Sequence, residues 1–370
     1  MRKFFTLLLV LVGFNLAAQP YNNEWIKYGQ PYYKFKIGKT GMHRIPQSVL
    51  AAAGLENVPV ENLEFWRNGV QVPFMPSAAG GILPPGGFID IYRERMDGKQ
   101  DKAFYRNPVY QHTDKISLLG DTAAYFITTG TGPNPNMVVQ GTNNAAGSSL
   151  TPEPYLMYKY GIYYNQKWNP GYASVLPEYV YLSSYDMGEF RSSLDISPTT
   201  PRSNNIGPLL PYTGGGPQAT FTYGAVGNAQ NARSVRALVN GSVVDEAVMD
   251  YFNDTKRTVN INTSLLTPAS FAVRWENGSQ VSTDRYVVSY FEINYPRLFN
   301  FNNLAAFEFT WPAKGSPSLL EITNFKSGGQ TPVLIDLTNK IKYTAHILDG
   351  KFRFEVPAWN TDIRYVIATF

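Results

Sequence analysis

The strongest strand pattern in the chain is found at residues 284–295, DRYVVSYFEINY. This run combines β-branched and aromatic residues and contains no Gly or Pro. Strict alternation places apolar residues on both faces, with Tyr286, Val288 and Tyr290 on one and Val287, Phe291 and Ile293 on the other. A strand that is apolar on both faces is normally covered on both sides. We therefore predict that residues 284–295 form the central strand of a β-sandwich.

Local patterns elsewhere predict further elements. Residues 46–53 have the pattern of a short helix that begins at Pro46 and is capped by Gly54. Asn68-Gly69 separates two alternating runs and is typical of a β-hairpin turn. Residues 114–119 alternate like a strand. Residues 155–164 are strongly aromatic and favour a strand, although a helix is compatible with Leu156, Met157 and Tyr160.

The spacing of strand and turn signals predicts a mostly β chain with several domains. A segment rich in Gly, Asn, Thr and Pro separates the first strands from the rest and is interpreted as a linker. The predicted organisation is a signal peptide at 1–18, a small α+β domain at 19–130, a linker at 131–154, a β-sandwich or jelly-roll-like domain at 155–296, and a further small β unit at 297–370.

Composition agrees with a folded, turn-rich β-protein. The 370 residues are 44% hydrophobic and 14% aromatic, and only 16% are charged, which excludes a disordered chain. The 32 basic and 28 acidic residues nearly balance, and two of the basic ones belong to the predicted signal peptide. We therefore expect neither a nucleic-acid partner nor an anionic membrane surface.

The N-terminus has the pattern of a secretory signal. Arg2 and Lys3 precede an apolar run at residues 4–14, and a cleavage site is predicted between Ala18 and Gln19. No later segment is long and apolar enough to predict a membrane span. We expect an exported protein of the periplasm, the outer-membrane surface or the extracellular space.

The residue inventory offers little chemistry. The chain contains no cysteine, which removes thiolate nucleophiles, zinc-thiolate sites and iron–sulfur clusters. His43, His112 and His346 lie far apart in sequence, without metal-ligand spacing, and are predicted to be solvated or in turns. No motif of a serine or aspartic peptidase is present, and no catalytic residue, cofactor or metal is predicted.

One aromatic cluster has two interpretations. Tyr160, Tyr164, Trp168 and Tyr172 lie close together in sequence near Asn165 and Asn169. Exposed on a sandwich, these four candidate surface aromatics could stack against sugar rings, whereas buried they would be core or domain-interface residues.

Several segments together resemble a known family. They are YKFKIGKTGMHRI at 33–45, LEFWRNGVQVP at 63–73, FIDIYR at 88–93, residues 114–129, SYDMGEF at 184–190 and the strand at 284–295. In this order they resemble the non-catalytic N-terminal region of gingipain-type cysteine peptidases, and most of all the sortase-like members associated with type IX secretion. The resemblance covers nearly the whole mature chain and consists of strand and turn patterns.

The resemblance implies an accessory, pro-region-like module ahead of a peptidase domain with a His and a nucleophilic Cys. Because this chain has no Cys, no catalytic residue is carried over. The implied partners are a following peptidase-like domain, expected beyond Phe370, or secretion-machinery proteins. Two alternatives stay open: a stand-alone surface adhesin or carbohydrate-binding module, and an enzyme of unrecognised type.

Overall fold

The computed structural model describes residues 23–175, 178–181, 184–267 and 269–369, with side chains described for all of these except 173–175 and 178–181. The fold is mostly β, as predicted. The predicted signal peptide, its cleavage pair Ala18 and Gln19, and Phe370 lie outside the described residues. Among the described residues, no helix has the length and hydrophobicity needed to cross a membrane.

The described chain divides into two compact units. Unit one contains the residues up to Lys36 together with Arg44–Ile91 and Ala124–Met137. Unit two contains Ile37–His43, Tyr92–Ala123 and Val138–Phe370. The chain thus alternates between the two units before residue 138.

In the described part of the chain, seven strands, one α-helix (α1) and three short 3-10 helices precede residue 130. Their order in the sheets is β1-β7-β3-β4 and β2-β6-β5. The core of unit one collects apolar side chains such as Leu50, Phe65, Phe74, Ile89 and Ile127. The bounds are β1 Tyr33–Ile37, β2 Gly41–Pro46, α1 Gln47–Ala52, β3 Leu63–Arg67, β4 Val70–Gln71, β5 Met75–Pro76, β6 Phe88–Arg93 and β7 Ala123–Thr129.

The predicted helix and hairpin are confirmed. Pro46 is the N-cap of α1 rather than its first residue, and Gly54 follows the helix with a φ of +73°. Asn68 and Gly69, both with positive φ, connect β3 to β4, which is the backbone conformation that an Asn-Gly hairpin turn requires.

The strand predicted at residues 114–119 is wrong. The buried carboxylate of Asp101 accepts hydrogen bonds from the Ser117 hydroxyl and from the backbone N–H of Leu118. These bonds, together with the bond from the Gly98 N–H to the Asp114 carbonyl, hold the segment in an irregular conformation.

The remaining strands belong to unit two. Their bounds are β8 Val139–Gln140, β9 Leu156–Tyr163, β10 Lys167–Asn169, β11 Tyr172–Val175, β12 Glu178–Tyr181, β13 Phe190–Ser192, β14 Arg202–Ile206, β15 Ala219–Gly227, β16 Ala232–Val239, β17 Ser242–Asp250, β18 Asp254–Ile261, β19 Phe271–Asn277, β20 Tyr286–Arg297, β21 Asn300–Leu304, β22 Ala306–Trp311, β23 Ser318–Phe325, β24 Val333–Asp336, β25 Ile341–Thr344, β26 His346–Leu348, β27 Lys351–Val356 and β28 Ile363–Ala368.

A β-sandwich forms the first half of unit two. Its sheets have the strand orders β14-β19-β16-β17 and β18-β15-β20-β9. Phe221, Trp275 and Phe291 are fully buried between the sheets, with ring centroids 5.7–6.2 Å apart. Aromatic rings at these distances stabilise the core beyond the burial of their area.

Strand β20 is an inner strand buried on both faces, as predicted, but its predicted faces are wrong. Val288 lies opposite Ala225 and Tyr290 lies opposite Gly224, so Ser289 is the extra residue of a β-bulge. The bulge reverses the alternation. One core therefore contains Tyr286, Val288, Phe291, Ile293 and Tyr295, whereas Val287 packs against Phe190 and Val226 on the other face.

A second pair of sheets follows the sandwich. The orders are β22-β28-β24-β25-β8 and β21-β23-β27-β26, around a core that includes Phe301, Phe309 and Tyr365. Strand β8, which lies in the predicted linker 131–154, pairs in parallel with β25. The predicted boundary at residue 130 also differs from the division into units at Tyr92–Ala123, which belongs to unit two.

A fully buried ion pair closes one end of the sandwich. Arg233 Nε and Nη2 donate to the two carboxylate oxygens of Asp284 at 2.8 and 2.9 Å. Both side chains are 0% exposed. Arg233 also donates to the backbone carbonyls of Ala229 and Tyr251, so its charge is well compensated.

Candidate binding groove

Two edge strands of unit two line one cavity. Strand β9 is the last strand of its sheet, and β22 is the first strand of another. In the described part of the chain, β9 pairs only with β20, and β22 pairs only with β28. Residues 157–159 of β9 and 306–310 of β22 line a cavity of about 640 Å³. Strands β9 and β22 contact each other at this cavity without forming a hydrogen-bonded ladder in the described part of the chain.

The walls of this cavity combine aromatic and polar side chains. The Tyr158 ring packs against Phe307, with centroids 5.0 Å apart. The Tyr163 hydroxyl donates to Glu292 at 2.6 Å, and burial raises the Tyr163 pKa. Lys115 and Lys159 supply positive charge to the same cavity.

A second, basic cavity adjoins the first, since both are lined by Lys115 and Lys159. Its volume is about 760 Å³. Its charged lining consists of the acidic residues Asp114 and Glu292 and of Lys99, Lys102, Lys115, Lys159 and Lys256. The two cavities together are called the groove below. It concentrates positive charge on a chain whose overall charge is nearly balanced.

The internal ion pairs leave part of this charge uncompensated. Lys159 lies 3.3 Å from Glu292, whereas Lys115 is 3.8 Å from Asp114. Lys256 donates to the carbonyl of Val109 at 2.7 Å instead of to a carboxylate. Lys102 makes no ion pair with any described residue. Lys99 lies 3.2 Å from Asp97, and Glu308 lines the first cavity, so the lysines of the groove are compensated in part.

A buried histidine lies beside the groove. His112 Nδ1 is 2.8 Å from the Ser289 hydroxyl, and its Nε2 is 2.9 Å from Asp254 Oδ2. An ionised Asp254 can only accept, so His112 Nε2 donates to it, while the Ser289 hydroxyl contacts both Nδ1 and the Gly224 carbonyl, to which it donates at 3.1 Å. Burial lowers the pKa of His112, against the opposing effect of Asp254.

The prediction that His112 is solvated or in a turn is therefore wrong. Although Ser, His and Asp are adjacent here, Ser289 is 1% exposed within β20 and cannot meet a substrate. The hydrogen bonds instead attach the segment containing His112 to the bulge of β20. The arrangement is a structural one.

This network predicts a pH-dependent stability. In the unfolded chain His112 binds a proton near the ordinary histidine pKa of 6.5, whereas the folded protein binds it only at lower pH. The unfolded chain then holds more protons, so the free energy of unfolding falls as the pH drops below about 6.5, by up to about 1.4 kcal/mol per pH unit. Urea unfolding between about pH 7.5 and about pH 5.5 measures this slope.

His112→Gln is expected to reduce that slope, because the group that titrates is gone. His346→Gln, at a half-buried position on β26, is the matched control and should retain it. An equal pH dependence in the wild type and His112→Gln would contradict the prediction.

The structure does not assemble the four candidate surface aromatics into one platform. Tyr164 is 5% exposed and accepts a hydrogen bond from Trp275 Nε1, so its prediction as a surface residue is wrong. Tyr160 is half-buried and packs against the sandwich core. Tyr172 packs against Phe252 with centroids 5.6 Å apart. Trp168 is the most exposed of the four, at 54%, and its side chain forms a hydrogen bond with Glu189.

The other histidines offer no metal site. His43 Nε2 bonds the carbonyl of Lys39 at 2.8 Å, and His346 lies in β26. In the ranges that the structure describes, no three His, Asp or Glu side chains are grouped as metal ligands.

Sequence reasoning missed the groove because its parts are remote from one another. Lys115, Lys159 and Lys256 become neighbours only through the pairing of β9, β20, β15 and β18. The available signal was local: Lys159 interrupts an otherwise aromatic and apolar strand at a position facing solvent.

Comparison with solved structures identifies a shared architecture. A crystal structure of dimeric latent PorU from Porphyromonas gingivalis matches 91% of this chain with a TM-score of 0.57 and 12% identity. The chain shares its fold with that part of PorU. It spans 32% of the PorU chain, about a third of its length. No family model matches the chain, and no curated protein matches it.

Carbohydrate-binding modules match more weakly. The CBM36-1 domain of a xylanase from the hindgut metagenome of Trinervitermes trinervoides covers 37% of this chain and 96% of its own, with a TM-score of 0.24 and 10% identity. A family 35 module from Clostridium thermocellum covers 38% of this chain and 98% of its own, with a TM-score of 0.21 and 14% identity. Scores this low support no conclusion about function.

Proposed function

We propose that this chain is the non-catalytic, accessory β-region of an exported, gingipain-like protein associated with type IX secretion. The observation that supports the proposal most is the fold shared with PorU over 91% of the chain. Since the chain corresponds to 32% of that PorU chain, an accessory role beside further domains is consistent with its extent. The family resemblance of residues 33–45 and 63–73 supports the same proposal.

The proposed role is to support a neighbouring domain by packing, with no chemistry of its own. The chain lacks cysteine, and its Ser289–His112–Asp254 contact is buried in the sandwich. The two aromatic cores provide the rigidity that such a support needs. Export with removal of a leader at Ala18-Gln19 is part of the proposal.

Glycan binding is the alternative, and one observation favours it. Trp168 exposes 54% of its surface on the short strand β10, and exposed Trp rings stack against sugars. Since Tyr164 is buried, this alternative rests on Trp168 without the predicted platform.

The proposal predicts that purified residues 19–370 cleave no peptide substrate and bind no glycan on an array.

The proposal also predicts that the reading frame continues into a peptidase-like domain with a His and a Cys, and that this domain folds in higher yield when residues 19–370 are present. A stop codon after Phe370, or equal yields, would contradict it. Glycan binding that Trp168→Ala abolishes would favour the alternative instead.

A further inference from the structure

We propose that a small cavity of unit two, lined by Arg95 and Arg191, binds a carboxylate carried by a segment of a partner protein. Only the choice of a protein as the partner rests on the accessory role proposed above. The tests use peptides, so they do not depend on a peptidase-like domain. The evidence is a half-buried arginine without a partner, the mixed lining of the cavity, and an exposed Trp beside it.

Arg191 is a cation that the protein leaves unpaired. It lies in β13, and its side chain lines a cavity of about 280 Å³. Although it is half-buried, its side chain has neither an ion pair nor a hydrogen bond within the described ranges. A guanidinium that is partly removed from water binds a carboxylate more strongly than an exposed one does, and it can form two parallel hydrogen bonds with it. The cavity therefore contains a pair of donors that suits a carboxylate.

The rest of the lining favours one carboxylate over a more highly charged anion. Arg95 adds a second positive charge and Asp121 a negative one, so the charged residues of the lining carry one net positive charge. A phosphate group at neutral pH carries more than one negative charge and would be compensated less fully. Asn165 supplies an amide donor, and Met96 and Ile116 offer apolar contacts to the CH₂ groups of an Asp or Glu side chain.

The size of the cavity limits how much of the partner can enter it. Pockets that enclose a drug-sized molecule have volumes of about 300–1,000 Å³, and this cavity, at about 280 Å³, lies just below that range. A single side chain or a chain terminus is of the right size. The remainder of a protein partner would lie on the surface around the cavity.

Trp168 provides such a surface. In the antiparallel pair of β10 and β13 it lies directly opposite Arg191, so the two side chains are on the same face. The ring is largely exposed, and its hydrogen bond with the buried Glu189 fixes it before a ligand arrives. Trp and Arg are the residue types most enriched among the residues that dominate binding at protein interfaces. A free carboxylate would not need Trp168, so we argue for a protein segment.

The first test uses residues 19–370 isotope-labelled at arginine and follows the Arg191 Nε–H signal by NMR, assigned by its absence from Arg191→Gln. The probe is the peptide acetyl-Ala-Leu-Glu-Leu-Ala-amide, and its control has Gln in place of Glu. The acidic peptide should shift the signal with a Kd below about 10 mM, and the Gln peptide should bind at least about 10-fold more weakly. Equal binding of the two peptides, or no shift at about 10 mM, would overturn the proposal.

Protein variants test the arginine with a fluorescein-labelled form of the acidic peptide, followed by fluorescence anisotropy. Arg191→Gln is expected to weaken binding at least about 10-fold. The control Arg285→Gln removes another half-buried arginine, which does not line the cavity, and should bind within about 3-fold of the wild type. Melting curves check that both variants fold. If the two variants bind equally well, the assignment to Arg191 is wrong.

Two further probes distinguish the sources of the carboxylate without altering the protein. A peptide with Ser in place of both Leu residues should bind at least about 5-fold more weakly, because it loses its apolar contact with Trp168. Sodium butyrate, which offers the carboxylate alone, should bind at least about 10-fold more weakly than the acidic peptide. Butyrate that binds as tightly as the peptide would show a site for free carboxylates and overturn the docking of a protein. Tighter binding of inorganic phosphate than of the peptide would show a phosphate site instead.

Discussion

Replacing Val288 with Asp is expected to prevent the chain from folding. Val288 is 0% exposed in β20 and belongs to the sandwich core with Tyr286 and Phe291. A carboxylate there must either be buried without a partner or bind a proton, and both cost several kcal/mol. The free energy of unfolding of an ordinary domain is only about 5–15 kcal/mol, so the substitution would remove most of it.

The matched control is Val248→Asp in β17. Val248 is 81% exposed, so the same substitution places its charge in water and should change stability by less than about 0.5 kcal/mol. Soluble yield and urea midpoints of the two variants give the comparison. A Val288→Asp protein with the yield and midpoint of its control would refute the central position of β20.

Replacing Arg233 with Met is the second large effect that we expect. The Asp284 carboxylate, 0% exposed, would lose its countercharge and keep the hydrogen bonds from Asn231 and Asn277. An uncompensated buried charge of this kind destabilises a protein by about 3–5 kcal/mol. Urea unfolding at neutral pH measures the loss.

Arg236→Met is the control in the same strand. Arg236 is 37% exposed and lies 3.4 Å from Glu246 and from Glu276, so its removal should cost less than about 1 kcal/mol. Replacing Arg233 and Asp284 together should cost less than replacing Arg233 alone, because no isolated charge stays behind. If Arg233→Met and Arg236→Met lower the free energy of unfolding by similar amounts, the buried ion pair stabilises the protein no more than the exposed one.

Local sequence patterns were sufficient where the structure is local. The Asn68-Gly69 hairpin, the helix capped by Gly54 and the burial of residues 286–291 all follow from a few neighbouring residues. The faces of β20 do not follow in this way. Ser289 looks like one more residue in an alternating run. Only the pairing of Val288 with Ala225 and of Tyr290 with Gly224, which leaves Ser289 without a partner in β15, reveals the bulge.

The candidate site was the least predictable part. The groove depends on which strands lie at the edges of their sheets. The residue pattern of a single strand does not predict its position in the sheet. Likewise, the proximity of Tyr160, Tyr164, Trp168 and Tyr172 in sequence suggested a common surface. In the structure the chain turns between β9 and β10, and these side chains have different neighbours.

The bonds that hold the segment 92–123 have a consequence for biosynthesis. The Tyr92 hydroxyl donates to Glu308, 216 residues later, and His112 bonds Asp254, 142 residues later. A nascent chain therefore has to keep this segment unpaired until most of the protein has been made. Contacts between such distant residues form slowly, because a long loop must close before they contribute any stability. During that interval the uncovered strands are exposed to proteases and to aggregation, so this chain is expected to depend on protection by chaperones while it is being synthesised.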